Sequence, residues 1–296
     1  MRDRNKIYVL TENLNFFYRL NKELNRFHIP FKILSLSKKI PSIPSIILTT
    51  LEEFKNREYY RKNGNFLTYS KDQSFEEYIL KVISTYRIGY KDYYSKLTFS
   101  IDPGNRSGLA VFLDDYYLMS HCCFETRDLI KKIKNYTQYF KRANPESMKI
   151  ILKFGKGVLS LTRDLVDIIS AIFHEEKDLK IYLIDEFKSS KIKMNRKDKE
   201  RNISKDEVSA LILALRDGIE VTNDNYHLIF NQIKSKSSKN GDFKKEKYEA
   251  LNNKSISLDE IADIAAQVLR GNLSLSDSSQ MIKELKRNNN NHRFKA

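Results

Sequence analysis

Residues 99–112 (FSIDPGNRSGLAVF) constrain the fold of this chain more than any other stretch. Apolar residues lead to Asp102, Pro103 and Gly104 interrupt the run, and Gly108 begins a second apolar segment. This pattern predicts a strand, a tight turn and an antiparallel partner strand. The position of Asp102 at the strand end suits a metal ligand or an acid–base group, because carboxylates are rarely buried in cores. It equally suits an ordinary turn residue before Pro-Gly, and both interpretations stay open.

The sequence after this hairpin predicts the rest of one domain, residues 95–220. Residues 116–124 (YYLMSHCCF) predict a third antiparallel strand. Apolar spacing then predicts alternating helices and strands: helix 126–141, strand 148–154, helix 161–173, strand 180–184, and a helix opened by Ser204 and ended by Gly218. The fold class is therefore α/β, with a mixed sheet made of a three-strand meander followed by strand-helix-strand-helix.

Residues 1–94 predict a separate small α/β accessory domain. Its candidate strands alternate with helices, which is typical of a parallel sheet. The strands are 6–11, 31–34, 45–50 and 66–69, and the helices are 13–27 and 74–86. Ser74 and Glu77 have capping-box spacing. The sequence shows no phosphate loop here, so we expect a docking or nucleic-acid-positioning module.

Residues 221–296 predict a helical C-terminal extension of a different composition. A Lys/Ser-rich linker comes first and is typical of flexible chain. A helix over 257–270 follows, with Ser257 and Glu260 in capping-box spacing, then a helix over 276–286. The tail from Arg287 contains a run of Asn and predicts disorder.

The charge of the chain predicts a polyanionic partner. Its 296 residues include 53 Lys and Arg against 38 Asp and Glu, a formal net charge of +15. Such an excess favours binding to DNA or RNA, although a solvated Lys-rich surface is the alternative interpretation.

The remaining composition indicates a cytoplasmic protein. The two cysteines, Cys122 and Cys123, are adjacent, so neither a structural disulfide nor a zinc spacing is available. No apolar run approaches the ~20 residues of a membrane span. Residues 1–13 lack the apolar region of a signal peptide. We therefore expect a reducing cytoplasmic setting and no membrane partner.

Acidic residues lie at three predicted element ends. Asp102 ends the first strand of the 95–220 domain, Asp185 and Glu186 follow its last predicted strand, and Asp206 and Glu207 open its last helix. Sites in open α/β sheets form outside the carboxyl ends of the strands, so we expect these acids to converge. A carboxylate cluster that holds Mg²⁺ or Mn²⁺ is what two-metal phosphodiester hydrolysis requires.

Each of these acids also has an ordinary structural interpretation. Asp185 and Glu186 fit solvated charges at a strand end. Acids in the first turn of a helix are favoured by the helix dipole. Glu207 has capping-box spacing with Ser204 and is assigned to that role, which leaves Asp206 for the cleft.

The order of the motifs resembles the RuvC-like branch of the RNase H fold, and it is most similar to the YqgF (RuvX) group of Holliday-junction resolvases and pre-ribosomal-RNA nucleases. The motifs are IDPGNRSGLAVF, a strand ending in a glycine turn, LIDEFKSS and KDEVSALILAL, within residues 97–219. The resemblance implies a divergent metal-dependent endonuclease that cuts structured DNA or RNA. It implies that Asp102, Glu186 and Asp206 are both the catalytic and the metal-binding residues. Junction-cutting enzymes of this type are commonly dimers, so a homodimer is also an expectation.

Two positions depart from RuvC resolvases proper. Lys153 stands nearest to a Glu of their fourth strand, and Ser209 stands where their last helix has a second acid. Both departures favour the YqgF-like variant, or a chain with weak or lost activity. A non-catalytic nucleic-acid-binding protein on the same fold is therefore the alternative. An actin/Hsp70-like ATPase shares the Asp-x-Gly opening but is disfavoured, because a second phosphate loop is missing from the sequence.

Basic residues near these acids are candidates for nucleic-acid binding. Lys153 and Lys156, with the backbone of the glycine turn at 155–157, could hold a phosphate, or they could belong to an ordinary strand-to-helix turn. Arg106 lies beside Asp102 and could contact the scissile phosphate or be solvated. The basic run 188–201 joins two acid-bearing elements, where binding to phosphates would weaken with salt. Its candidate residues are Lys188, Lys191, Lys193 and Arg196.

Overall fold

The computed structural model describes residues 6–35, 45–56, 65–142, 144, 147–186, 203–231 and 257–291. The chain divides into two units, Met1–Asp92 and Tyr93–Ala296. This division lies within two residues of the predicted boundary between 94 and 95. The C-terminal segment, predicted as a separate extension, belongs to the second unit.

The first unit contains a parallel four-stranded sheet. Its elements are β1 (Lys6–Val9), α1 (Leu14–Arg26), β2 (Phe31–Ile33), β3 (Ser45–Thr50), α2 (Leu51–Lys55), β4 (Asn65–Tyr69) and α3 (Phe75–Ile88), with strand order β2-β1-β3-β4. The predicted strands and both predicted helices are confirmed, and α2 was not predicted. Ser74 makes no side-chain cap hydrogen bond at the start of α3, so the predicted capping box there is wrong.

Glu53 closes the edge of this sheet where β1 and β3 end. Its carboxylate accepts hydrogen bonds from Thr11 Oγ1 at 2.7 Å, from the backbone N–H of Glu12 at 2.6 Å and from Thr50 Oγ1 at 2.7 Å. Burial raises the pKa of Glu53, but these hydrogen bonds outweigh burial and hold the pKa below its ordinary value. The Glu53 carboxylate therefore links the ends of β1 and β3, at the edge where open α/β sheets bind ligands.

The second unit contains a mixed six-stranded sheet covered by helices. Its elements are β5 (Lys96–Asp102), β6 (Ser107–Leu113), β7 (Tyr116–Cys123), α4 (Thr126–Arg142), β8 (Lys149–Gly155), α5 (Leu159–Ile172), β9 (Leu179–Ile184), α6 (Lys205–Ala214), β10 (Gly218–Val221), α7 (Asn223–Asn231), α8 (Leu258–Leu269) and α9 (Leu275–Asn291). The strand order is β10-β9-β8-β5-β6-β7. Strands β5, β8 and β9 are parallel, whereas β6 runs antiparallel to both β5 and β7. The predicted α/β class, the meander and the alternation after it are confirmed.

Two predictions near the C-terminal side were wrong. Gly218 does not end α6, which stops at Ala214, but begins β10 antiparallel to β9. A Cβ on Gly218 would lie 2.6 Å from the Leu183 carbonyl oxygen, so this glycine allows close strand pairing. Helix α9 continues to Asn291, which includes the first five residues of the predicted disordered tail.

Helix α6 is the centre of the second unit's core. Its residues Ser209–Ala214 are buried, as its nearly all-round apolar sequence predicts. Residues from α8 pack against it and against β6 and β7, including Ala265, Val268 and Leu269. The capping box of Ser257 with Glu260 starts α8 as predicted. The C-terminal helices are therefore part of this core.

No helix in the described ranges is long and apolar enough to cross a membrane.

Candidate functional site

Asp102 is the last residue of β5, at the edge where the parallel strands β5, β8 and β9 all end. Burial is the main cause that raises the pKa of Asp102 to about 6, and the charges of Glu186 and Asp206 raise it further. The hydroxyl of Ser209, one turn into α6, hydrogen-bonds to Asp102 and acts in the opposite direction. The structure therefore brings the three predicted acids near enough for their charges to interact.

Asp206 lies in the first turn of α6, which packs directly on the β6 backbone. A Cβ on Gly108 would lie 1.9 Å from the Asp206 carbonyl oxygen, so only glycine permits this approach. The Asp206 carboxylate accepts a hydrogen bond from Cys122 Sγ at 3.6 Å. Arg106 Nε lies 3.8 Å from Asp206 Oδ2, which places Arg106 at the site as predicted.

Glu207 has the structural role that its spacing predicts. Its side chain accepts from the backbone N–H of Ser204 at 2.8 Å, and Ser204 Oγ accepts from the backbone N–H of Glu207 at 3.2 Å. Ser120 Oγ donates to the same carboxylate at 2.8 Å. Glu207 therefore anchors the start of α6 to β7, and Asp206 is left at the cleft.

Glu186 lies against the glycine turn that follows β8. Its Oε1 accepts a hydrogen bond from the backbone N–H of Gly157 at 2.8 Å. A Cβ on Gly155 or Gly157 would come within 2.1 or 2.0 Å of the Glu186 carboxylate. Burial raises the pKa of Glu186, and the Gly157 hydrogen bond acts against that rise. The turn predicted to hold a phosphate thus holds an internal carboxylate, which corrects that part of the prediction.

Lys153 has a different role from the phosphate contact predicted for it. Its ammonium donates to the backbone carbonyls of Ala214 at 2.6 Å and Arg216 at 2.9 Å, at the end of α6. Its charged neighbours are Asp217, Asp115 and Lys96. Lys96 begins β5, so the ammonium points toward the end of that strand opposite to Asp102. Lys153 therefore caps the end of α6, away from the carboxylate edge, and this placement does not fit the phosphate contact predicted for it.

Lys156 remains at the carboxylate edge. Its Nζ lies 3.0 Å from Asp185 Oδ2, and both side chains are exposed. Arg216 Nη1 donates to the Asp185 carbonyl at 2.6 Å, and burial lowers the pKa of Arg216 while Asp185 and Glu186 raise it. Lys156 and Arg216 thus place positive charge beside the Asp185–Glu186 segment.

The other predicted basic residues, Lys188, Lys191, Lys193 and Arg196, lie outside the described residues.

Sequence reasoning missed three residues at this edge. Cys122 is directly opposite Gly108 in the β6–β7 ladder, so a predicted hairpin register could have placed it beside Asp206. Ser209 was identified only as a departure from a family pattern, whereas its hydroxyl contacts Asp102. Arg216 follows the end of α6, and the sequence carries no signal for its contact with Asp185.

The chemistry of the donor set fits Mg²⁺ or Mn²⁺. Three carboxylates supply hard oxygen ligands. The charges of Glu186 and Asp206 repel that of Asp102, and a bound divalent cation would reduce this repulsion. The positions of the three carboxylates fit a metal ion less well than their chemistry does. Among the described residues, no group of three or more His, Cys, Asp and Glu side chains is placed so that it could hold a metal ion. The bond between Glu186 and Gly157 turns one of the three carboxylates toward the glycine turn.

No family model matches this chain, and no curated protein matches it. A comparison with solved structures matches part of this chain to the crystal structure of Aa-Ago with externally bound siRNA, at 12% sequence identity and a TM-score of 0.23. The similarity covers 62% of this chain and 35% of that chain. A TM-score this low does not establish a common fold.

Proposed function

We propose that the second unit is an RNase H-like domain of the RuvC/YqgF-like type that acts as a divalent-metal-dependent endonuclease on structured DNA or RNA. The observation that carries the proposal is the meeting of Asp102, Glu186 and Asp206 at one sheet edge, from three separate elements, with each of the other two charges raising the pKa of Asp102. Active sites are where burial and neighbouring like charges shift pKa values, so a buried carboxyl group with two further acids near it is a candidate for catalysis.

The topology supports the same proposal. An antiparallel meander leads into parallel β8 and β9, and Asp102 ends the central strand β5. This arrangement is the one that the resemblance to RuvC-like and YqgF-like nucleases implies. The close contact of Gly108 with Asp206 places the N-terminal turn of α6 against the end of the sheet.

Asp102, Glu186 and Asp206 are the residues that would hold Mg²⁺ or Mn²⁺. A bound ion of this kind activates water and stabilises the leaving oxygen of a phosphodiester. Ser209 orients the Asp102 carboxylate through its hydrogen bond. Arg106 and Lys156 flank the acids and place positive charge where a phosphate backbone would approach.

Cleavage assays test this function directly. Full-length protein with Mg²⁺ or Mn²⁺ is incubated with junction, flap and structured-RNA substrates, beside Asp102→Asn and a matched Asp217→Asn variant. Asp217 lies after the end of α6, directly before β10, and its side chain is 76% exposed. We expect cleavage by wild type and Asp217→Asn, and at least about a hundredfold loss in Asp102→Asn. Absence of cleavage by wild type, or equal cleavage by Asp102→Asn, contradicts the proposal.

A second function, nucleic-acid binding without catalysis, is favoured by one specific observation. The described acids do not form a group of three that could hold a metal ion as placed. This function predicts binding that weakens with salt, is unchanged by removal of divalent metal and gives no cleavage product. The expected homodimer, and the choice between DNA and RNA, stay predictions.

A further inference from the structure

Arg106 and Phe124 lie side by side at the edge that carries the acids. Arg106 immediately precedes β6 and Phe124 immediately follows β7, and these strand ends are paired through Ser107 and Cys123. The Arg106 guanidinium lies 6.0 Å from the centre of the Phe124 ring. The same guanidinium has its Nε 3.8 Å from Asp206 Oδ2. Arg106 therefore connects the aromatic ring to the carboxylate site.

The Phe124 ring is exposed although it lies next to a core. Its exposed fraction is 71%, whereas its neighbour Cys123 is 1% exposed. Single exposed apolar residues are common on protein surfaces. Phe124 differs from them in its surroundings, because a cation and the carboxylate edge proposed to act on nucleic acid adjoin it. The Arg106 side chain is itself 61% exposed, so both groups are open to a ligand.

We propose that Phe124 is a stacking platform for an unpaired nucleobase of a DNA or RNA strand whose adjacent phosphate lies beside Arg106. This inference rests on the proposed function, and it adds the position and chemical class of one contact. Every base has a flat π face that stacks on an aromatic ring, and a guanidinium pairs with phosphate. The net charge of +15 favours a polyanion over an apolar protein surface as the occupant.

The protein contains no tryptophan, so Phe124→Trp creates a single fluorescent reporter at the platform. The variant is titrated in EDTA with single-stranded DNA and RNA oligonucleotides and with abasic oligonucleotides of equal charge. We expect strong quenching by the base-bearing strands and little by the abasic ones. The DNA and RNA arms show which strand supplies the base. Leu228→Trp, at a position in α7 that is 65% exposed, is the matched reporter and should not respond.

Binding affinities give a second, independent measurement. Phe124→Ala should weaken binding of a base-bearing strand about tenfold, equivalent to ~1.4 kcal/mol. It should leave binding of the abasic strand unchanged, because that strand has only phosphates to offer. Leu228→Ala should match wild type on both ligands.

The outcomes separate this inference from the proposed function. The platform is overturned if Phe124→Ala binds and cleaves nucleic acid as wild type does and the Phe124→Trp variant shows no quenching. This result leaves the proposed function standing. Wild type that binds no nucleic acid overturns both. Quenching by base-bearing strands with wild-type cleavage absent supports the platform together with the non-catalytic alternative.

Discussion

At the scale of single residues, Asp102 is a carboxylate in a position that disfavours its charge. Burial raises its pKa to about 6, against an ordinary value of 3.8, and two further acids add to the effect. The hydrogen bond from the Ser209 hydroxyl opposes this rise without cancelling it. Folding therefore keeps the Asp102 carboxyl group near two further acids at a cost in stability.

Replacing Asp102 by Asn should stabilise the protein in a pH-dependent way. Between pH ~4 and ~6 the unfolded chain has lost the Asp102 proton while the folded chain retains it, so wild-type stability falls as pH rises through this window. The Asn side chain is neutral throughout. We expect Asp102→Asn to be about 3 kcal/mol more stable than wild type at pH ~7, and the difference to become small near pH ~4. Urea unfolding from pH ~4 to ~8 in EDTA measures the difference, and a constant difference would contradict the assignment.

Gly108 allows the closest approach between α6 and the sheet. A Cβ at this position would lie 1.9 Å from a backbone oxygen of Asp206, which cannot move without shifting α6. Gly108→Ala should destabilise the protein by about 1–3 kcal/mol. Gly104→Ala is the matched control, because its Cβ would approach the Arg106 carbonyl oxygen no closer than 3.2 Å. Equal thermal unfolding midpoints for the two variants would show that α6 does not depend on this contact.

At the scale of elements, α6 is fixed at both ends by different chemistry. Its first turn carries the Ser204–Glu207 capping box and the contact with β6, and its last turn is held by Lys153. The last carbonyl groups of a helix have no partner within the helix and need other hydrogen-bond donors. The Lys153 ammonium donates to two carbonyls at this end, those of Ala214 and Arg216. The helix that presents Asp206 is thereby held in place from its far end.

Lys153→Met and Lys156→Met should separate the lysine that caps α6 from the lysine proposed to contact nucleic acid. Lys153→Met should lower stability by about 1–3 kcal/mol, because two carbonyls lose a charged donor. It should leave the affinity of the folded protein for nucleic acid unchanged. Lys156→Met should do the reverse, with weaker binding and a shallower dependence on salt. Fluorescence-anisotropy titrations at several salt concentrations, beside urea unfolding, check both variants. Loss of affinity in Lys153→Met alone would restore the phosphate role.

The pH dependence of stability gives a further check on Lys153. Burial lowers its pKa to about 8, so between pH ~8 and ~10.5 the unfolded chain binds the proton that the folded chain has released. Stability contributed by this residue therefore rises with pH in that window. The rise should be present in wild type and Lys156→Met and absent in Lys153→Met.

At the scale of the whole molecule, the C-terminal helices complete the core of the second unit. Leu269 of α8 is 2% exposed and lies in the cluster that contains α6 residues and Phe112 of β6. Leu269→Ala should therefore destabilise the protein by about 2–5 kcal/mol. Leu228→Ala, at an exposed position, should change stability by less than about 0.5 kcal/mol. Differential scanning calorimetry of the full chain measures both, and a small effect of Leu269→Ala would mean that α8 is dispensable.

The sequence by itself determined the elements and much of the site. Periodicity and turn residues carried the meander, the later alternation and the buried α6, because these are local properties of the chain. The positions of Asp102 and Asp206 at element ends followed from the same patterns. Capping-box spacing separated Glu207 from Asp206 correctly, since both partners lie within one helical turn.

The tertiary structure alone decided what each charge contacts. Lys153 and the glycine turn were predicted to bind phosphate, yet they bind helix carbonyls and Glu186, respectively, which are 61 and 29 residues away in the chain. Sequence patterns also did not predict the strand β10 or the packing of α8 and α9 into the core of the second unit. A side chain long enough to reach several neighbours has no local signal for its partner. Whether a charge serves the fold or the site is therefore settled only when distant segments come together.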